Sequence, residues 1–247
     1  MNPLYYGGRH RLEEFHLFAF PRTGSHFLVH VLMGLFDIVA VPQPHLRTQE
    51  ALDRQLELDP VMLYALNLRE DGVPFHPIYI NSLSNGMHGL PAKGNAPAML
   101  LIRDPIATVY SLYHTGIDRW GFRIEDPVRW IEETLNHYIT FYDTGVKMLT
   151  EHPRDTLLIK WEDLVESPAM VQQIVDFIGT RPKLAVEFVH RVTRFDILAR
   201  GGSRTFYRGG SNLAWRSDAS WIESLRNVSP KEFTRFGYPC FDPRTLP

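Results

Sequence analysis

A short loop near the N-terminus carries the residue types that bind anions. Pro21-Arg22-Thr23-Gly24-Ser25-His26 separates an apolar run at 15–20, which predicts a strand, from a stretch at 26–36 that predicts a helix. Backbone N–H groups at such a turn and the positive end of the helix dipole attract phosphate or sulfate. The guanidinium and the two hydroxyls of the loop would complete an anion site. No Gly-Lys-Ser/Thr occurs in the chain, which excludes a Walker A loop.

A second candidate anion ligand follows the next predicted strand. Arg103 comes directly after the buried-strand candidate 98–102, and Asp104-Pro105 has the residue types that begin a helix. Ser111 stands about two turns into that helix. Because ligands of open α/β sheets gather beyond the carboxyl ends of the strands, we expect Arg103 and the first loop to lie at one edge of the sheet.

A third candidate lies in the most basic part of the chain. Segment 181–216 holds eight Arg or Lys residues against two acidic residues, a local balance of +6, although the formal net charge of the whole chain is −2. Within it, Arg208 stands beside Gly209 and Gly210, where a backbone without Cβ atoms can approach a ligand closely. The near-neutral net charge argues against a general nucleic-acid binder. The three elements therefore predict a site for a small anionic ligand.

The elements that must position these residues predict an α/β fold with a central parallel sheet flanked by helices. A third strand at 156–160 precedes a helix over about 167–178, so the chain has three strand-loop-helix units. An amphipathic helix is predicted over about 126–149, and the Ser-x-x-Glu pattern at 229–232 predicts a last helix. Two segments of weak pattern are predicted as lid or substrate loops, 42–60 and 67–97.

Length and composition fit one domain, predicted over 1–247 with its core at about 15–238. Hydrophobic residues make up 44% of the chain and charged residues 22%, as in ordinary globular proteins. The apolar run 29–41 is too short to span a bilayer, and no signal peptide is evident. A single cysteine, Cys240, excludes an internal disulfide. We therefore expect a cytoplasmic protein without a membrane partner.

Taken together, these motifs resemble those of the sulfotransferases that use 3′-phosphoadenosine 5′-phosphosulfate (PAPS). The family loop for the 5′-phosphosulfate, Pro-Lys-Ser-Gly-Thr-Thr-Trp, matches 21–27, with Phe27 in the position of a ring that packs on adenine. The family element for the 3′-phosphate, Arg-x-Pro followed by Ser, matches Arg103, Pro105 and Ser111 at the same spacing. The resemblance implies that the two motifs bind the two phosphate-bearing ends of PAPS.

Three later segments extend the resemblance. Trp161-Glu162-Asp163-Leu164 matches the family's Tyr-Glu-Asp-Leu segment, whose aromatic ring lies near adenine, and Phe195 resembles a second adenine-stacking position. Segment 208–216 matches the Arg-Lys-Gly and Trp-Lys motif, in which the arginine and adjacent backbone hold the 3′-phosphate. Residues 236–238 resemble the family's last segment. The match therefore runs in order over about 15–238.

The resemblance implies a fold related to the P-loop NTPases and nucleotide kinases, the sulfotransferase fold. It implies transfer of a sulfuryl group from PAPS to a hydroxyl or amine of a small-molecule or carbohydrate acceptor, which releases 3′-phosphoadenosine 5′-phosphate (PAP). No metal is expected, because the donor is already activated, and Arg22 with the loop amides would stabilise the transferring group. The residues implied to bind the cofactor are Arg22, Thr23, Gly24, Ser25, His26, Phe27, Arg103, Ser111, Trp161, Phe195, Arg208, Gly209 and Gly210.

The sequence departs from the family pattern at the catalytic base. The family strand Lys-Thr-His-Leu falls on Ile80-Asn81-Ser82-Leu83, which lacks the histidine. His88, in the turn that follows, is the first candidate for the base, His26 is the second and His76 the third. Ser82 would only position the acceptor. The other departures are Arg22 for Lys, His26 for Thr and Gly209 for Lys.

Two other functions fit parts of the sequence. A kinase on a related sheet would use ATP or GTP, but the chain lacks Gly-Lys-Ser/Thr and a clear acidic strand end for a metal ion. A module that binds a nucleotide without catalysis would fit the displaced histidine. A magnesium requirement would favour the kinase, and tight PAP binding without turnover would favour the silent module.

Overall fold

A five-stranded parallel sheet organises the chain in the computed structural model, which describes residues 14–36, 38–40, 78–84, 97–193 and 213–246. The strands are β1 Glu14–Ala19, β2 Ile38–Ala40, β3 Ile78–Ser84, β4 Ala98–Ile102 and β5 Thr156–Lys160. Their order across the sheet is β2-β3-β1-β4-β5, and each neighbouring pair is parallel. The carboxyl ends of all five strands therefore lie at one edge, with β1 in the middle.

Helices cover both faces of the sheet. The α-helices of the described residues are α1 Ser25–Leu35, α2 Pro105–Trp120, α3 Pro127–Glu151, α4 Trp161–Glu166, α5 Pro168–Ile178, α6 Val186–Val192 and α7 Ala219–Arg226. Short 3₁₀ helices follow at Ala214–Ser217, Thr234–Phe236 and Pro243–Thr245. None of the helices in the described ranges is long and apolar enough to cross a membrane.

Strand β4 throughout, and β1 from Leu17 to Ala19, are apolar because both of their faces are buried. Along β1, Leu17 packs into the cluster formed with α1, α5 and α6, while Phe18 packs into the cluster formed with α2, α3 and the C-terminal segment. All five residues of β4 are buried. Burial on two faces is typical of parallel sheets covered by helices on both sides. The α/β fold with a central parallel sheet is therefore confirmed.

Helix boundaries follow the capping signals in the sequence. The side chains of Asp104, Asp126 and Ser167 accept backbone N–H groups at the starts of α2, α3 and α5, and each is followed by proline. Helix α5 ends at Gly179, whose φ of 69° lies in the left-handed region. These local signals place the starts of the three helices within one residue of the predicted positions.

Two sequence predictions are wrong. Residues 78–84 lie in the predicted loop 67–97 but form β3, an interior strand, because pairing with β1 and β2 overrides the weak strand propensity of Asn and Ser. The helix predicted at 229–232 does not form. Its cap residue Ser229 instead donates from N and Oγ to Glu132 of α3, at 2.8 and 2.7 Å. The next residues form a bridge between Lys231 and Phe241.

Candidate anion site at the carboxyl edge of the sheet

The loop between β1 and α1 has an unusual backbone. Arg22 has a φ of 69° and Gly24 a φ of 101°, both in the left-handed region, where a non-glycine residue is uncommon. Successive N–H groups in such a loop line a concave surface that favours anions. Helix α1 begins after Gly24 without a side-chain cap, and the N–H groups of a first turn have no partner inside their own helix. The loop thus has the backbone of an anion cradle.

Hydrogen bonds made by Thr23 and by a tyrosine of α3 fix the start of this loop. The Thr23 side chain is 0% exposed, and its Oγ1 donates to the Phe20 carbonyl at 2.7 Å. The Tyr142 hydroxyl accepts from the Phe20 N–H at 3.3 Å and donates to the Leu101 carbonyl at 2.5 Å. Burial raises the pKa of Tyr142, so the hydroxyl remains a donor. Thr23 therefore shapes the loop, and Tyr142 ties the end of β1 to β4.

Arg103 extends from the end of β4 to the same loop. Its Nη1 donates to the Arg22 carbonyl at 3.2 Å, and its guanidinium carbon lies 4.3 Å from the centre of the Trp161 ring. Burial lowers the pKa of Arg103, while the carboxylates of Glu162 and Asp104 oppose that shift. The guanidinium remains a cation, because an arginine pKa starts above 12. Three predicted cofactor motifs thus meet at one point.

A hydrogen bond joins the first loop to the helix that follows Arg103. The Nε of Arg22 donates to the Ser111 Oγ at 3.3 Å, although the two residues are 89 positions apart. Both side chains are half-buried. The predicted ligands for the 5′ and 3′ ends of the cofactor are therefore in direct contact, at the edge where the sequence predicts them to converge.

Gly24 faces the edge of the Trp161 ring. A Cβ atom on Gly24 would lie 2.5 Å from Nε1 of that ring, far inside van der Waals contact. Trp161 is 4% exposed, and the Arg103 guanidinium lies over its ring. This indole therefore has little room to move away from a side chain at 24.

We expect Gly24→Ala to lower the free energy of unfolding by about 2–4 kcal/mol. The left-handed φ accounts for about 1–2 kcal/mol, and displacement of Trp161 adds about as much. Chemical denaturation measures the change. Gly121→Ala is the matched control, because Gly121 has a φ of 67° and nothing within 4 Å of the added Cβ. Equal losses in the two variants would show that Trp161 does not constrain the loop.

The sequence interpretation missed a carboxylate that bridges two distant segments. The Glu162 Oε1 accepts from the Asp104 N–H at 2.9 Å, and its Oε2 accepts from the Tyr238 hydroxyl at 2.7 Å. The sequence predicts only a capping or ion-pairing role for Glu162 and Asp163. Tyr138 was also missed: its hydroxyl donates to the Arg103 carbonyl at 2.6 Å. An i, i+4 tyrosine pair, Tyr138 and Tyr142, in a buried helical stripe was the available signal.

A second polar cluster, formed by Tyr110, His114 and Asp218, lies close to Ser111 on α2. The Nε2 of His114 is 3.2 Å from the Asp218 Oδ2, and Tyr110 donates to the same oxygen at 3.3 Å. Burial raises the pKa of Asp218, but hydrogen bonds from Trp221 and Ser220 and the charge of His114 hold it below its ordinary value. His114 follows Ser111 by three residues and so lies near its side of the helix. The cluster therefore brings an imidazole and a carboxylate together about one turn beyond Ser111 on α2.

The remaining predicted site residues divide into two groups. Phe27 is 3% exposed within the core, Ser25 is buried at the first position of α1, and His26 lies at the second position of that helix. Ser82 lies in β3 opposite His16 of β1. The other predicted residues lie outside the described part of the chain: His76, His88, Phe195, Arg208, Gly209 and Gly210. Within the described ranges no three His, Cys, Asp or Glu side chains form a cluster that could hold a metal ion.

Comparison with known proteins adds evidence on the fold. No family model matches the chain, and no curated protein matches it in sequence. Retinol dehydratase in complex with androsterone and the inactive cofactor PAP aligns over 92% of this chain and 85% of its own, at 14% identity and a TM-score of 0.51. Its complex with retinol and PAP aligns over the same shares, at 15% identity and a TM-score of 0.50.

A mouse sulfotransferase in complex with PAP aligns over 87% of this chain and 78% of its own, at 16% identity and a TM-score of 0.48. The two retinol dehydratase alignments cover most of both chains. The chain therefore shares the fold of retinol dehydratase, an α/β fold with a central parallel sheet.

Proposed function

We propose that this chain, as a single cytoplasmic domain over 1–247, transfers a sulfuryl group from PAPS to a hydroxyl or amine, releasing PAP. The observation that carries the proposal is the convergence of Arg22, Arg103 and Ser111 on one loop at the carboxyl edge of the sheet. Two arginines and a cradle of backbone N–H groups suit a ligand with two separate phosphate groups. The PAP-bound structures of the same fold support this choice of nucleotide.

In the proposed reaction the acceptor oxygen or nitrogen forms a bond to sulfur as the bond from sulfur to the 5′-phosphate oxygen breaks. The electron pair of that bond leaves with the phosphate, and the acceptor proton passes to a base. Arg22 and the N–H groups at 24–26 would face the charge that grows on the leaving phosphate, while the Thr23 N–H donates to the Phe20 carbonyl at 3.2 Å within the turn. Arg103 and Ser111, with Arg208, Gly209 and Gly210, would hold the 3′-phosphate. The aromatic rings of Phe27, Trp161 and Phe195 are proposed to lie near adenine.

The proposed acceptor is a small molecule or a carbohydrate. Retinol and androsterone, which are found in the two retinol dehydratase complexes, are apolar alcohols, so the same fold accommodates small hydroxylated compounds. For the base we propose His88, four residues beyond Ser84. Strand β3 ends at Ser84 on the edge that carries Arg22 and Arg103.

The first test compares nucleotides that differ by one phosphate. We expect PAP to raise the melting temperature more than AMP or ATP, because only PAP offers a 3′-phosphate to Arg103 and Ser111. A ligand at a hundredfold excess over its Kd stabilises the native state by about 2.7 kcal/mol. Ser111→Ala should weaken PAP binding and leave AMP binding nearly unchanged. Equal shifts with PAP and AMP in the unaltered protein would contradict the proposal.

A nucleotide-binding module without catalysis is the second candidate function. The observation that favours it is the sequence of β3, which lacks the histidine that the family motif supplies. Incubation with radiolabelled PAPS and a panel of hydroxylated and amine acceptors separates the two functions. Transfer of label to any acceptor supports the enzyme, while tight PAP binding without transfer supports the silent module.

A further inference from the structure

We propose that Glu162 is a positioning residue, which with Tyr238 fixes the turn at Asp104 and thereby directs Arg103 at the anion. The inference rests on the proposed function for the identity of that anion. It assigns a role in nucleotide discrimination to a carboxylate that is not expected to touch the ligand.

The peptide bond between Arg103 and Asp104 is held on both sides. On its carbonyl side, Arg103 accepts a hydrogen bond from the Tyr138 hydroxyl at 2.6 Å. On its amide side, Asp104 donates to the Glu162 Oε1 at 2.9 Å. A peptide plane fixed by two partners has lost its freedom to rotate, so the direction in which the Arg103 side chain leaves the backbone is also fixed.

Helix α4 fixes the other end of the same arginine. The guanidinium carbon of Arg103 lies 4.3 Å from the ring centre of Trp161, the residue before Glu162. The Nη1 of Arg103 donates to the Arg22 carbonyl at 3.2 Å. The first two residues of α4 therefore hold both the backbone and the side chain of Arg103. Such preorganised cations bind an anion without the entropy cost of ordering a long side chain.

Glu162 is itself held from the C-terminal segment. Its second oxygen accepts from the Tyr238 hydroxyl at 2.7 Å. Burial and then the Glu162 carboxylate raise the pKa of Tyr238, so the phenol keeps the proton that it donates. With one oxygen on Asp104 and the other on Tyr238, the carboxylate has a single orientation. Burial lowers the pKa of Arg103, and the negative charge of Glu162 opposes that shift and so favours the cation.

The experiment measures the ratio of the Kd for AMP to the Kd for PAP by calorimetry. We expect Glu162→Ala to reduce this ratio about tenfold, because a misdirected Arg103 weakens only the contact with the 3′-phosphate. Tyr238→Phe removes only one hydroxyl and should reduce the ratio in the same direction by a smaller factor. A merely structural role would lower the melting temperature and leave the ratio unchanged.

Glu132→Ala is the matched control. Glu132 also bridges the C-terminal segment to the rest of the fold, through the N and Oγ of Ser229, but on the exposed surface of α3. It should lower the melting temperature without changing the ratio. A ratio within twofold of the unaltered protein in both Glu162→Ala and Tyr238→Phe would overturn the inference, as would an equal change in Glu132→Ala.

Hydrogen exchange at the Asp104 amide separates this inference from the proposed function. If the Asp104 amide loses protection in Glu162→Ala and keeps it in Glu132→Ala, Glu162 fixes the turn at Asp104, whichever nucleotide the protein prefers. Unchanged protection overturns the inference. If the unaltered protein does not prefer PAP over AMP, the proposed function fails, and the exchange result still decides whether Glu162 fixes the turn.

Discussion

Replacing Arg22 with alanine is expected to lower kcat for sulfuryl transfer by about 10²–10³, the range for loss of one preorganised donor. Negative charge grows on the departing 5′-phosphate as its bond to sulfur breaks, so a cation there stabilises the transition state more than the ground state. The structure orients this cation: the Ser111 hydroxyl accepts from its Nε, and Arg103 binds its carbonyl. Steady-state kinetics with saturating acceptor and varied PAPS measures kcat and the KM for PAPS.

Two further variants make the Arg22 result specific. Arg22→Lys restores the residue of the resembling family and should recover most of the rate, if charge is what matters. Arg129→Ala removes an exposed arginine that pairs with Glu133 and should leave kcat unchanged. A raised KM for PAPS with an unchanged kcat would make Arg22 an anchor for the ground state instead.

His88→Ala is expected to lower kcat at neutral pH by at least about 10² with little change in PAP affinity, since a positioned base contributes about 10²–10⁴. An acceptor hydroxyl is a poor nucleophile until a base accepts its proton. A neutral imidazole accepts that proton and an imidazolium does not, so kcat/KM for the unaltered protein should fall on acidification. Stopped assays across pH 5–8, the range in which histidine titrates, measure the profile.

The structure supplies the comparison variants for His88. His26→Ala should weaken cofactor binding as well as the rate, because His26 is in the first turn of α1. His114→Ala removes the imidazole beside Asp218, and His137→Ala removes an exposed one on α3. Full activity in His88→Ala with a collapse in His26→Ala at unchanged PAP affinity would move the base to His26. A collapse only in His114→Ala would move it to the Asp218 cluster.

The sequence predicts the elements whose signals are local. Strands β4 and β5 have the predicted bounds, because each is a mainly apolar run with polar residues or proline at or next to both ends. Strand β2 has three residues, and β3 contains Asn81 and two serines, so their identity depends on pairing with neighbours that no local pattern reveals. The capping box at Ser229 failed for the same reason, since Glu132, 97 residues away, takes its hydroxyl.

The candidate site shows the same division between local and distant information. Motif spacing places Arg22, Arg103 and Ser111 at strand ends and helix starts, which is enough to predict that they converge. It does not predict that Arg22 and Ser111 touch, nor that Glu162 and Tyr238 support Arg103. Those contacts join residues 58 to 89 positions apart, and neither charge pattern nor periodicity carries information on such pairs.

The bridge between Glu162 and Tyr238 also bears on the order in which the chain is completed during synthesis. Arg22 leaves the ribosome 216 residues before Tyr238, an interval of about 10–40 s at ~5–20 residues per second. The five strands of the described residues have all been made by Lys160, so the nascent chain can pair them before Tyr238, the second partner of Glu162, has been synthesised. A chain that stalls before Tyr238 would therefore have paired these strands but would lack the hydrogen bond from Tyr238 to Glu162 that helps to fix the turn at Asp104.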